Sequence, residues 1–194
     1  LSRVLTNISG STRDITYHDT LGKAVSIKKN NERVTFEYYP DGQIKVKESS
    51  NAKIEFTNDP ATKKVASVKS SFFDEKGKAV SVLTTSFKYD AKNNLVYAEN
   101  SDGQKINITY DLTGRIASIT DHAKKIVKID YDDRFGKPSV VSRPGLGTIK
   151  VTYKSSGEIA KVESAEGPTV ASQVASTFSN LLDIISPASQ DLYL

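Results

Sequence analysis

The sequence predicts an all-β fold, a curved antiparallel sheet of repeated β-hairpins with one amphipathic helix near the C-terminal end. Three observations lead to this prediction. Val, Ile and Thr pack well on a pleated surface, and together they make up about a quarter of the 194 residues. Apolar and polar residues alternate with period two in many short segments. Tyrosines recur at a nearly constant interval, which is typical of a repeat array.

The strands are clearest in the second half of the chain. Four segments there share one template, in which three residues of one strand face end in a tyrosine: Thr85, Phe87, Tyr89; Ile106, Ile108, Tyr110; Val127, Ile129, Tyr131; Ile149, Val151, Tyr153. The residues between them are mostly polar, as a sheet with one covered and one wet face requires. The four tyrosines are 21, 21 and 22 residues apart, so we expect one hairpin in each interval.

Turn-forming residues follow each of these tyrosines. An Asp side chain can bond the backbone two residues further on, and a Gly supplies the positive φ that the reversal needs. The segment Tyr110-Asp111-Leu112-Thr113-Gly114-Arg115 has both. We therefore predict that one set of residues shapes the repeat: Tyr89, Asp90, Tyr110, Asp111, Gly114, Arg115, Tyr131, Asp132, Gly136, Tyr153 and Gly157.

This recurring Tyr-Asp-(x)2-Gly-Arg pattern resembles the YD-repeat family, also called Rhs repeats. The resemblance covers about residues 14 to 163. It implies long β-hairpins that wind into a hollow shell, which in bacterial toxin systems and teneurins encloses a polypeptide or stands as an extracellular scaffold. It also implies a link with carbohydrate binding and cell contact. The predicted hairpins are too few for a closed shell, so we expect a partial one.

A helical pattern replaces the strand pattern after Pro168. Apolar residues recur there at steps of three and four: Val170, Val174, Phe178, Leu181, Leu182 and Ile185. We predict one amphipathic helix over about residues 169 to 186, ended by Pro187, with these six residues facing the core. The helix is expected to cover the apolar face of the sheet, or else to be offered to a partner.

Two regions are expected from these patterns. Residues 1–166 form the hairpin-repeat domain, without an internal boundary, and residues 167–194 form the helix and a tail that pack on the sheet. A chain that starts with Leu1 and contains no Met is expected to be a fragment or a processed piece of a larger protein.

Composition excludes several kinds of chemistry. There is no Cys, which rules out thiol catalysis and Cys-ligated metal centres and suits a bacterial protein outside the cytoplasm. The 27 basic and 23 acidic residues leave a net charge of only +4, which disfavours nucleic acid as a partner. No apolar run approaches the roughly 18 residues of a membrane span. We expect no cofactor and no metal site.

Three functions remain open at this point. The first is a non-enzymatic scaffold that engages a polypeptide, either its own tail helix or a partner chain. The second is a cell-surface adhesin that binds glycans through tyrosines outside the regular template, namely Tyr38, Tyr39 and Tyr97. The third and weakest is a hydrolase that uses His18 or His122, each beside an Asp in a predicted turn.

Overall fold

A computed structural model of the chain describes residues 2–8, 11–164 and 168–189. Within these residues it contains fifteen strands followed by one helix: β1 (Ser2–Ile8), β2 (Ser11–Tyr17), β3 (Ala24–Lys29), β4 (Glu32–Tyr38), β5 (Ile44–Glu48), β6 (Ala52–Asn58), β7 (Val65–Phe73), β8 (Ala79–Tyr89), β9 (Leu95–Asn100), β10 (Lys105–Tyr110), β11 (Ile116–Asp121), β12 (Ile126–Tyr131), β13 (Pro138–Arg143), β14 (Gly147–Tyr153), β15 (Ile159–Ser164) and α1 (Pro168–Ser189).

The strands form a single antiparallel sheet in which spatial order follows sequence order from β1 to β15. The chain therefore runs up and down as a succession of hairpins. This confirms the predicted all-β fold of antiparallel hairpins with one C-terminal helix. Residue contacts divide the chain into two compact units, and the division falls within β8, between Ser86 and Phe87.

The first unit has its own apolar row across neighbouring strands. Val34, Ile54, Phe56 and Val68 are buried, and Phe56 lies opposite Val68 in the register of β6 and β7. Lys47 is also buried, and its Nζ lies 5.8 Å from the ring centroid of Phe36. Strand alternation alone would place a lysine in solvent, so its burial is a tertiary feature of this unit.

The second unit buries several of the predicted template residues. Ile108 pairs with Ile119, which pairs in turn with Val127, so that one row of apolar side chains crosses β10, β11 and β12. Ile106 and Ile129 are also buried. Toward β15 the cover thins, and Ile159 and Val162 are 59% and 58% exposed. The period-two pattern thus marks the covered face, while the extent to which a residue on that face is buried depends on its position in the sheet.

The helix α1 belongs to the second unit through Ser186, and a hydrogen bond from the Arg143 guanidinium to the Gln173 side chain ties it to β13. Its buried stripe consists of Val170, Thr177, Leu181 and Ile184. Val174, Phe178 and Ile185 are partly buried beside this stripe.

Two sequence predictions for the helix need correction. Leu182 is 60% exposed, since at about 100° per residue it lies about 120° around the helix from Val170. Ile184 and Thr177 are buried, although the six-residue pattern does not include them. The helix also continues through Pro187 to Ser189. Proline has a φ compatible with a helix and disturbs mainly the turn before it, so Pro187 does not end the helix.

Candidate binding surface

Within the described residues, seven turns lie at the strand ends that carry the template tyrosines, here called the tyrosine edge of the sheet. Most of these turns share one construction. The turn between β10 and β11 is the clearest. Asp111 Oδ1 accepts hydrogen bonds from the backbone N–H groups of Thr113 and Arg115, both at 2.9 Å. The Thr113 hydroxyl donates to the same oxygen at 2.7 Å, and Arg115 Nε donates to Oδ2 at 2.7 Å. One carboxylate therefore organises the whole turn.

The same construction recurs in the neighbouring turns. Asp90 Oδ1 accepts from the N–H groups of Lys92 and Asn94, both at 2.9 Å. Asp132 Oδ1 accepts from Arg134 and Phe135 at 3.0 and 2.9 Å. These bonds stabilise the charged carboxylate. The Thr113 hydroxyl, followed by the Arg115 groups, holds the pKa of Asp111 well below its usual range.

Each of these turns also needs one residue with positive φ. Gly114 supplies it at +84° and Gly136 at +63°. In the turn after β8 the residue is Asn93, at 66°. Asn tolerates this region better than other non-glycine residues, which explains why a turn without Gly keeps the repeat geometry.

The template tyrosines fasten each strand to the one before it. Tyr110, Tyr131 and Tyr153 donate their hydroxyl hydrogen bonds to the carbonyl groups of Leu95, Ile116 and Pro138, at 2.8, 2.8 and 2.6 Å. Each acceptor is the first residue of the preceding strand. The fourth template tyrosine, Tyr89, ends β8, and burial raises its pKa.

Cations link successive turns along this edge. The Arg115 guanidinium lies 4.4 Å from the ring centroid of Tyr131, and the Nζ of Lys137 lies 5.7 Å from that of Tyr153. Lys137 Nζ also donates to the carbonyl of Gly157 at 2.7 Å. In the first unit Lys23 does the same, lying 5.7 Å from the Tyr38 ring and donating to the Gly42 carbonyl at 2.6 Å.

Grooves open between turns on this edge, and two of them are lined by the residues above. The larger, here called the Asp90 groove, has a volume of about 470 Å³ and lies between the turns at 90–94 and 111–114. Its walls include Asp90, Tyr110 and Leu112. The smaller, the Asp59 groove, has a volume of about 290 Å³ and is lined by Tyr39, Asn58 and Asp59 among others.

The Asp59 groove marks an interruption of the repeat. Asn58 stands where the other strands carry tyrosine, and its Nδ2 donates to the Gln43 side chain at 2.7 Å. Its Oδ1 is buried without a hydrogen-bond partner in the described part of the chain. The neighbouring Tyr39 hydroxyl donates forward to the Phe56 carbonyl at 2.7 Å.

The three tyrosines proposed for glycan binding are all partly buried. The sequence predicts that Tyr38 lies outside the template, but its hydroxyl donates to the Ala24 carbonyl at 2.6 Å, in the same geometry as Tyr110. The sequence does not show this role of Tyr38 because a second tyrosine, Tyr39, follows directly. Tyr97 donates to Glu99 Oε2 at 2.6 Å, with Lys88 Nζ 5.2 Å from its ring. Glycan binding by these residues stays a prediction.

The two histidines occupy turns. The Nδ1 of His18 lies 3.3 Å from the backbone N of Thr20 and 3.4 Å from that of Leu21, so this side chain takes the place of the turn aspartate. His122 is exposed. Among the residues described here, no group of three or more His, Asp or Glu is placed to hold a metal ion. No helix among those residues combines the length and apolar character needed to cross a membrane.

Sequence reasoning missed the linking cations. Lys23, Arg115 and Lys137 each follow directly after the positive-φ glycine of a turn. Of the three, the repeat motif includes only Arg115. The shared position after the turn glycine was the signal that could have found the other two. It would also have shown that Gln43 and Asn94 hold the same position without a charge.

No protein-family model and no curated protein sequence matches the chain. Solved structures do resemble it. They include TcdB2-TccC3 without its hypervariable C-terminal region (TM-score 0.57, 13% identity), the Photorhabdus luminescens Tc holotoxin pore with a mutation in TccC3 (0.56, 14%) and TcdB2-TccC3 itself (0.53, 13%). The matches cover 84%, 84% and 81% of this chain but only 11% of each of those chains. At such identity the likeness shows the fold alone, a sheet of successive hairpins that is consistent with an Rhs-like repeat.

Proposed function

We propose that this chain is a non-enzymatic scaffold module of YD-type repeats whose sheet holds a polypeptide segment. In the chain itself that segment is α1. The observation that carries the proposal is the buried stripe of the helix, Val170, Thr177, Leu181 and Ile184, together with the Arg143–Gln173 hydrogen bond to β13. We further propose that the module is part of a larger Rhs-like surface protein that acts outside the bacterial cytoplasm.

The construction of the turns supports a scaffold role. Tyrosine hydroxyls and linking cations hold neighbouring strands and turns together, and the turn carboxylates hold each turn in shape. Side chains that are fixed in this way stabilise the sheet, as a scaffold requires. The resemblance to structures of TcdB2-TccC3, one of which is part of a Tc holotoxin pore, supports the same role at the level of the fold.

The experiment compares two adjacent leucines of α1 in the full-length chain. Leu181 is 6% exposed and Leu182 is 60% exposed, so Leu181→Ala and Leu182→Ala make the same chemical change at a covered and at an exposed position. Amide hydrogen exchange of α1 reports whether the helix stays docked. We expect Leu181→Ala to speed exchange throughout α1, since truncating a buried leucine costs about 2 to 5 kcal/mol. Leu182→Ala should leave exchange nearly unchanged.

Equal protection of α1 in both variants would contradict the proposal, because the helix would then not be held by its buried stripe. A binding survey of the full-length chain provides the second test. Saturable, salt-tolerant binding to one glycan class would overturn the proposal in favour of an adhesin, whereas binding that vanishes with modest salt reflects only diffuse attraction by lysines.

A further inference from the structure

In the second unit, the cation that would link the turn at 90–94 to the next turn is absent. At three turns the cation of one turn lies against the glycine of the next turn, as shown by the position a Cβ would take on that glycine. Such a Cβ on Gly42 would lie 3.5 Å from Lys23 Nζ, on Gly136 3.7 Å from an Arg115 nitrogen, and on Gly157 3.6 Å from Lys137 Nζ. A Cβ on Gly114 would meet nothing within 4 Å.

The reason is the residue at the linking position. Asn94 stands where Arg115 and Lys137 stand in the following turns, and it is too short to reach the next turn. It folds back instead, and its Nδ2 donates to Asp90 Oδ2 at 3.1 Å. The space left between the two turns is the Asp90 groove of about 470 Å³. Within the described residues no cation stacks on the Tyr110 ring, in contrast to Tyr131 and Tyr153.

The groove carries the charge that a cation would complement. The Asp90 carboxylate forms its side-chain bonds with neutral donors, from Lys92 N–H and the Asn94 N–H and amide groups. Asp111, on the opposite wall, is already paired with Arg115. Lys92 also lines the groove and opposes a second cation in part, but Asp90 and the π-face of Tyr110 both favour one. Leu112, 98% exposed at the rim, offers an apolar contact for the stem of a long side chain.

We propose that the Asp90 groove is a docking site for an arginine side chain of a partner polypeptide. The guanidinium takes the place that Arg115 takes on Tyr131, stacked on the Tyr110 ring, with donors directed to Asp90 and to the Gly114 carbonyl. Arginine fits better than lysine, because a planar guanidinium can stack on a ring and still donate hydrogen bonds in its own plane. The site involves no residue of α1 and does not depend on how that helix is held.

The test is an NMR titration of the full-length chain with N-acetylarginine methylamide, with the neutral isostere N-acetylcitrulline methylamide as the control probe. We expect saturable shifts of the Asp90, Leu112 and Gly114 amides with the arginine probe. The citrulline probe lacks the charge and should bind about two- to fivefold more weakly than the arginine probe, as expected when an exposed cation–π contact is removed. Equal binding of the two probes would overturn the proposal.

Two variants locate the site. Asn94→Arg supplies the missing cation from within the chain and should abolish binding of the probe, whereas Asn94→Gln adds length without charge and should retain it. If Asn94→Arg disturbs the turn, Asp90→Asn keeps an Oδ1 acceptor for the turn and removes the charge, and it should weaken binding. Undiminished binding in Asn94→Arg or Asp90→Asn would contradict the assignment. The helix experiment above reads out α1 alone, so the two proposals can fail separately.

Discussion

Truncation of Ile119 should destabilise the second unit strongly. Ile119 is fully buried, and it pairs with Ile108 on one side and Val127 on the other. Replacing it by alanine removes three carbon atoms, which at about 0.8 kcal/mol per methylene loses about 2.4 kcal/mol of transfer free energy. Flanking strands fix the side chains around it, so a cavity remains and brings the expected loss to about 3 to 4 kcal/mol.

The assay is urea unfolding followed by circular dichroism and tyrosine fluorescence, since the chain has nine tyrosines and no tryptophan. With a slope of about 2 kcal/mol per molar urea, the expected loss moves the midpoint of the second unit down by about 1.5 to 2 M. The matched control is Ile159→Ala, the same change at a residue that is 59% exposed. It should cost less than about 1 kcal/mol.

A loss below about 1 kcal/mol for Ile119→Ala, or equal losses for the two variants, would refute the reasoning. Either result would mean that the row across β10, β11 and β12 does not form the core of this unit.

Three further predictions concern the turns. Tyr131→Phe removes the hydroxyl that donates to the Ile116 carbonyl at 2.8 Å and should lower the free energy of unfolding in urea by about 0.5 to 1.5 kcal/mol. Tyr97→Phe loses only a bond to a surface carboxylate and should lower it by less than about 0.5 kcal/mol. Equal losses in the two variants would contradict the bracing role of Tyr131. The pKa of Asp111 is lowered in the folded chain, so its stabilisation is present above the unfolded pKa of about 3.9 and is lost as the pH falls through the folded value. Asp111→Asn should therefore weaken the acid dependence of the urea midpoint below about pH 4, and an unaltered profile would disprove the link. Gly114→Ala should cost about 1 kcal/mol because φ is +84°, although the space around it is open; an unchanged midpoint would show that the turn relaxes freely.

Much of this architecture follows from local rules. Alternation with period two places Ile106 and Ile108 on the covered face and Asn107 on the wet face, because successive side chains of a strand point to opposite sides. The Asp111 turn follows from the short reach of a carboxylate to the backbone beyond it. The repeat spacing then predicts a succession of hairpins, which the strand order confirms.

The placement of neighbouring elements against one another decided what local rules could not. The covered side of α1 depends on how the helix is rotated against its neighbours, so Leu181 is buried and Leu182 is not, although both fit a helical pattern. The brace from Tyr38 to the Ala24 carbonyl joins residues on neighbouring strands and was obscured by the adjacent Tyr39.

The sequence by itself determined the strands, their turns and the helix, because each arises from interactions within a few residues of chain. Tertiary structure alone decided which turns touch. Whether a side chain at position 94 meets the turn at 111–114 depends on two hairpin ends lying side by side. Only that juxtaposition shows that Asn94 leaves a space open, whereas Arg115 and Lys137 fill the corresponding space at their own turns. The Asp90 groove exists because a short amide, Asn94, stands at the position that Arg115 and Lys137 occupy in the following turns.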